Sequence, residues 1–163
     1  MSVPRYTPGV LAFYRGKEHH STAVQFRLYP STADGPGYVR MDITNGPSQF
    51  HYDWSQKIAM KLSTIELAAI GRQQQAPVIF TRENPSNDPA AAPKTKRFAL
   101  KPAPRGGAFL DVTETVNGQK REHSFPLNDD ELLLLKHLAL AALPITLGWT
   151  ADLCVKAPER EAV

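Results

Sequence analysis

Two strings of the chain, Leu62-Ser63-Thr64-Ile65-Glu66-Leu67 and Leu127-Asn128-Asp129-Asp130-Glu131-Leu132, each set a glutamate three residues after a capping side chain. In such a capping box the Ser or Asn oxygen accepts from the amide of the third helical residue. The glutamate in turn accepts from the cap's own amide, so each string opens a helix. The acidic run Asp129-Asp130-Glu131 also suits the positive end of the helix dipole. What precedes both helices narrows the fold further, because the same kind of pattern leads into each.

Before the first helix, apolar residues recur at every second position, the signature of half-buried strands. Gly9–Lys17 is predicted as a first strand. Over Thr22–Tyr29, Val24, Phe26 and Leu28 take one side and Gln25 and Arg27 the other. Over Tyr38–Thr44, Val39, Met41 and Ile43 oppose Arg40 and Asp42. Gln49–Leu62 reads as a long fourth strand, with Tyr52, Trp54, Ile58, Met60 and Leu62 on one face and His51, Ser55, Lys57 and Lys61 on the other. Tyr52 and Trp54 are therefore expected to pack beneath the first helix. Asp34-Gly35-Pro36-Gly37 and Asn45-Gly46-Pro47 supply turn chemistry between strands.

The second half repeats the plan. Strands are predicted over Pro77–Arg82, Thr95–Lys101, Gly107–Val116 and Gln119–Phe125, with Glu83–Pro93 as a mobile loop and Asn117-Gly118 as a type I′ hairpin turn. The first helix fades near Gly71. The second is expected to run through Leu143 and stop before Pro144, whose missing N–H breaks the ladder. A ββββα unit thus occurs twice in an α+β chain.

Composition enters as a filter. The 163 residues, 42% hydrophobic and 21% charged, suit one folded domain. The Leu132–Leu147 stretch is interrupted by Lys136, His137 and Pro144, so no membrane span is expected. A lone Cys154 excludes an internal disulfide and a cysteine zinc cluster. The start of the chain lacks an apolar or Arg/Ser-rich leader, from which a cytoplasmic location in a bacterium or phage-infected cell is expected, with a mature organellar matrix protein as the alternative. No P-loop, Gly-x-Ser-x-Gly or Cys/His nucleophile pattern is present. His19-His20 reads as a turn and Asp129-Asp130-Glu131 as a cap, so no metal, cofactor, small-molecule substrate or enzymatic activity is expected.

The net charge of +3 hides a division. Residues 1–61 balance to +3, 62–93 to −1, 94–123 to +4 and 124–163 to −3. The positive segments are the strand-rich ones. Lys and Arg on a sheet neutralise phosphates and aromatic rings stack on bases, which makes a platform for single strands. The outward candidates are Arg15, Lys17, Gln25, Arg27, Tyr29, Tyr38, Arg40, Lys57, Lys61, Arg97 and Lys101. A plain solvated sheet face is the competing account of the same residues.

Two stretches carry a family resemblance. Tyr52-Asp53-Trp54-Ser55-Gln56-Lys57 followed by Leu62-Ser63-Thr64-Ile65-Glu66-Leu67 resembles the Tyr-Asp-Trp-Ser-x-Lys strand and Leu-Ser-x-x-Glu-Leu helix start of the Whirly family of single-stranded DNA-binding proteins. Phe125-Pro126-Leu127, Glu131, Leu143-Pro144 and Gly148-Trp149 resemble its closing helix. Order and spacing agree over residues 8–150, with 1–7 and 151–163 as short tails. The family's Lys-Gly-Lys-Ala-Ala-Leu stretch is interrupted here, because Glu18-His19-His20-Ser21-Thr22 separates Arg15-Gly16-Lys17 from Ala23-Val24. Assembly beyond a tetramer through that motif is therefore not implied.

The resemblance implies two antiparallel four-stranded sheets splayed like blades, helices packed at the centre of a homotetramer, and single-stranded DNA held along the sheet edges. The leucine-rich helix from Leu132 to Leu143, apolar nearly all round, independently needs a partner surface. The expected function is non-enzymatic, weakly sequence-specific binding of single-stranded DNA in replication, repair or recombination. RNA binding and annealing, as in related trypanosome mitochondrial proteins, and an oligomeric protein-interaction scaffold are the alternatives.

Overall fold

The computed structural model describes residues 10–83, 90 and 92–149. The first unit comprises β1 (Val10–Lys17), β2 (His20–Tyr29), β3 (Tyr38–Gly46), a 3-10 turn (Trp54–Gln56), β4 (Ile58–Leu62) and α1 (Thr64–Arg72). The second comprises β5 (Val78–Glu83), β6 (Lys94–Pro102), β7 (Ala108–Val116), β8 (Gln119–Leu127) and α2 (Asp129–Thr146). Each unit makes its own antiparallel sheet with strands in sequential order. The class is α+β, as the repeated pattern predicts. Both capping boxes form in full: the Glu66 carboxylate accepts from the Ser63 amide at 2.7 Å, and that of Glu131 from the Asn128 amide at 3.0 Å. Asn117 and Gly118 take φ of 51° and 76°, as a type I′ hairpin turn requires.

Alternation decides what is buried. Phe13, Val24, Phe26, Met41, Ile43, Ile58 and Met60 line one face of the first sheet, and Phe98, Leu100, Leu110, Val112 and Phe125 line one face of the second. These faces meet, and Leu67, Ile70, Leu135, Ala139 and Ala142 of the helices join the same core. Each large side chain so buried contributes roughly 1.5–3 kcal/mol. α1 lies against α2 at Gly71, where a Cβ would come 2.5 Å from Leu140 Cδ2. Among the described residues no helix is long and apolar enough to cross a membrane.

The duplication extends to individual contacts. Matching the caps Ser63 and Asn128, and following the ladders outward, pairs Lys61 with Pro126, Arg40 with Phe109 and Arg27 with Lys101. Continuing to the far strands brings Thr22 onto Lys96 and Arg15 onto Arg82. The two arginines then behave alike: Arg15 bonds Glu131 and Arg82 bonds Glu66, each reaching the capping box of the other unit. Thr22 Oγ1 donates to the Ser124 carbonyl at 3.1 Å, and Lys96 Nζ donates to that of Ala59, again across the sheets.

Several expectations are corrected. The stretch before Ile58 is not strand. Asp53 accepts from the Ser55 amide at 3.0 Å and caps a 3-10 turn, a local bond that competes with the ladder. Tyr52 accordingly leaves the core face and sets its ring 5.3 Å from that of Tyr14, with no place beneath α1. Trp54 is half-buried in the turn. α2 does not stop before Pro144 but continues to Thr146. Proline removes a single donor there, the Leu147 amide still bonds the Leu143 carbonyl at 3.0 Å, and the β2–β3 connection covers the end: Gly37 N–H donates to the Thr146 carbonyl at 2.8 Å. Trp149 is exposed, its amide bonded to the Pro144 carbonyl at 2.7 Å. The inserted Glu18–Thr22 stretch forms the β1–β2 hairpin turn and the start of β2. Most of the loop expected at 83–93 and Cys154 lie outside the described residues.

Candidate nucleic-acid interface

The outer face of the first sheet carries a transverse row of three cations. Register places Arg27 opposite Arg40 and Arg40 opposite Lys61. The next row holds Tyr29 opposite Tyr38, with ring centroids 4.9 Å apart and planes 19° from parallel. Lys61 Nζ sits 4.6 Å above the Tyr38 ring. Like charges directly opposite on neighbouring strands oppose folding by roughly 0.2–1 kcal/mol a pair. A single buried carboxylate, Asp42, moderates the row by accepting from Arg40 Nε at 3.0 Å and lying 3.6 Å from Lys57. Hydrogen bonding to Asp42 and its charge raise Arg40 above its ordinary value. Arg27 and Lys61 have no carboxylate partner among the described residues.

Beside this row, where the β4 edge faces the second sheet, lies a cleft of about 320 Å³ lined by Arg40, Ala59, Met60, Lys61, Arg82 and Lys96. Lys96 extends from the core face of β6, its side chain only 14% exposed. Burial and the neighbouring charge of Lys94 hold its ammonium below the ordinary range, with Glu114 at 3.4 Å offsetting part of the effect. Glu114 is shared among Lys94, Lys96 and Arg121. Burial works against its charge, but hydrogen bonds from Lys94 and Arg121 prevail and keep its carboxyl below the usual range.

Of the sequence candidates, Gln25, Arg27, Tyr29, Tyr38, Arg40 and Lys61 share the outer face of the first sheet, and Lys57 joins them through Asp42. Arg97 and Lys101 occupy the outer face of the second sheet, where Lys101 pairs with Asp111 at 2.9 Å. Arg15 and Lys17, expected to face outward with the rest, stand on the core side of β1 at its end. Arg15 is held by Glu131 and lies over the Phe125 ring, 5.0 Å from its centroid, while Lys17 is exposed. Arg82 and Lys96 escaped selection because alternation assigns them to the faces of Phe80 and Phe98. A cation at an apolar parity was the available signal.

The profile of the family described as Whirly transcription factor matches residues 22–138. The chain belongs to the Whirly family. Among solved structures it is similar to the plant transcriptional regulator PBF-2, at 18% identity and TM-score 0.69 over 94% of this chain and 91% of that one. WHY3 from Arabidopsis thaliana is similar at 18% identity and TM-score 0.71, covering 92% and 94%. MRP1/MRP2 of the trypanosome is similar at 13% identity and TM-score 0.59, covering 88% of each. A comparison with curated protein sequences finds no match.

Proposed function

We propose that this protein is a non-enzymatic binder of single-stranded nucleic acid, with DNA as its ligand, and that the outer face of the first sheet receives the strand. The observation that carries the reading is the Arg27–Arg40–Lys61 row beside the stacked Tyr29–Tyr38 pair. A row of cations tracks a backbone, and adjacent rings accept bases of any identity, so binding is weakly sequence-specific. A role in organising single strands during replication, repair or recombination follows from such binding.

Assembly belongs to the same proposal. Leu133, Leu134, Leu140 and Ile145 are 40–54% exposed and lie within one arc of α2, opposite its buried Leu135, Ala139 and Ala142. We assign this stripe to self-association as a homotetramer. The test compares a single-stranded DNA oligonucleotide, the RNA of the same sequence and the duplex by fluorescence anisotropy at several salt concentrations. The DNA strand is expected to bind tightest, with affinity falling steeply as salt rises. Preference for RNA would point to 2′-hydroxyl contacts. Equal affinity for duplex and single strand would overturn the reading.

A further inference from the structure

The internal duplication offers a comparison that the family likeness does not. The cleft beside the β4 edge is lined by Arg40, Lys61, Arg82 and Lys96. At the corresponding positions of the second version, where the β8 edge faces the first sheet, register places Phe109, Pro126, Arg15 and Thr22. One backbone arrangement thus occurs twice, once with four cations and once with one. Arg15 and its counterpart Arg82 are both committed, to Glu131 and Glu66, so the versions differ by Arg40, Lys61 and Lys96.

The shared threonine and lysine position sharpens the contrast. Both side chains make the same structural contact, a hydrogen bond to the carbonyl of the facing edge strand. Threonine therefore suffices for that bond. A lysine in its place adds a charge at 14% exposure, close to Lys94 and Arg121 around one carboxylate, and burying a charge in such company opposes folding. Lys61, which lines the cleft, has no carboxylate partner among the described residues. Glu114 answers Lys96 and Asp42 answers Arg40, which leaves Lys61 as the cation that an anion in the cleft would balance. We propose that a phosphodiester of the bound strand lodges in this cleft, and that its internal counterpart beside β8 takes none. The two versions of the cleft have divided their work, and each protomer holds the strand at the one beside β4.

This inference rests on nucleic-acid binding as proposed above. Its test measures the affinity and salt slope of oligodeoxythymidine for the wild-type protein, Lys61→Gln, Lys96→Met, Thr22→Val and Lys101→Gln. Lys61→Gln and Lys96→Met are each expected to weaken binding roughly tenfold, the size of one charge-assisted hydrogen bond. Each lowers the salt slope by about 0.7, the value for one phosphate contact on a single strand. Thr22→Val, in the counterpart cleft beside β8, and Lys101→Gln, on the outer face of the second sheet away from the proposed strand site, are expected to leave both quantities at wild-type values. Lys61 is exposed, so its variant reads binding even if Lys96→Met proves unstable on thermal denaturation. Wild-type behaviour of Lys61→Gln and of any folded Lys96→Met, or an equal loss in Thr22→Val and Lys101→Gln, overturns the inference while nucleic-acid binding stands. A second arm titrates inorganic phosphate and follows the Lys61 and Lys96 side-chain amine resonances. If the wild-type protein bound no oligonucleotide, binding as proposed would fail, and a phosphate response at Lys96 would then mark an anion site for another ligand.

Discussion

Lys96 and Glu114 show how a residue can be placed correctly by alternation and still be misread. Period two assigns both to the face that carries Phe98, Leu100 and Val112, and that is where they stand. At the Lys96–Glu114 end of the ladder the second sheet meets backbone carbonyls of Gln56, Lys57 and Ala59, so the same parity that buries Phe98 leaves a charged network at the edge of the core. The six outer candidates of the first sheet needed only alternation to be found. Arg15 needed a contact from a helix more than a hundred residues away, which no local pattern encodes. The network also titrates. Glu114 is held below its ordinary 4.5, so its contribution to stability is complete above that value and is lost as pH falls through its folded value. Glu114→Gln is expected to cost roughly 1–3 kcal/mol at neutral pH, since it strips the carboxylate from three cations. Urea denaturation should show the difference from wild type narrowing under acid conditions, where wild-type Glu114 is protonated as well. A gap independent of pH would mean that shape rather than charge matters there. Lys96 has the opposite sign: its penalty for being charged is present below its folded value and is relieved as pH rises through it.

Among the elements, seven strands and both helix starts were legible because alternation, capping boxes and the Asn-Gly turn are local signals. The boundaries that failed were set by contacts that alternation does not encode, one local and one tertiary. The fourth strand is short because Asp53 and Ser55 bond each other in a turn. α2 outruns Pro144 because the β2–β3 connection, remote in sequence, supplies amides to its last carbonyls. Pro144→Ala restores one helical donor opposite the Leu140 carbonyl but frees the unfolded chain. The balance is expected to be a stabilisation of about 1 kcal/mol, far below the ~3 kcal/mol of a mid-helix proline. Thermal denaturation reads the outcome, and a destabilised variant would show that the ring itself is required for packing.

For the whole molecule, the net charge of +3 is less informative than where the charges face. The first sheet turns the row Arg27, Arg40 and Lys61 outward, whereas the second presents Lys101, Phe109 and Pro126 at the matching positions. The proposed assembly through the apolar arc of α2 is tested at this scale. Leu133→Glu is expected to shift the mass measured by light scattering from four copies of the 18.0 kDa chain to a smaller species, with the fold retained because Leu133 contributes little to the protomer core. An unchanged mass would remove α2 from the assembly interface. Weaker oligonucleotide binding by the dissociated species would follow from lost multivalency.

The crossed arginine clasps have a consequence for how such a chain can arise. Arg15 closes on the helix of the second unit and Arg82 on that of the first, so neither unit holds the partner of its own arginine. A chain of half the length would find those partners only in a second copy of itself, with the same register and the same contacts made between molecules. The architecture is thus that of a symmetric pair of half-length chains joined end to end. The matched positions now differ in both halves: the first carries Thr22 and Lys61 where the second carries Lys96 and Pro126.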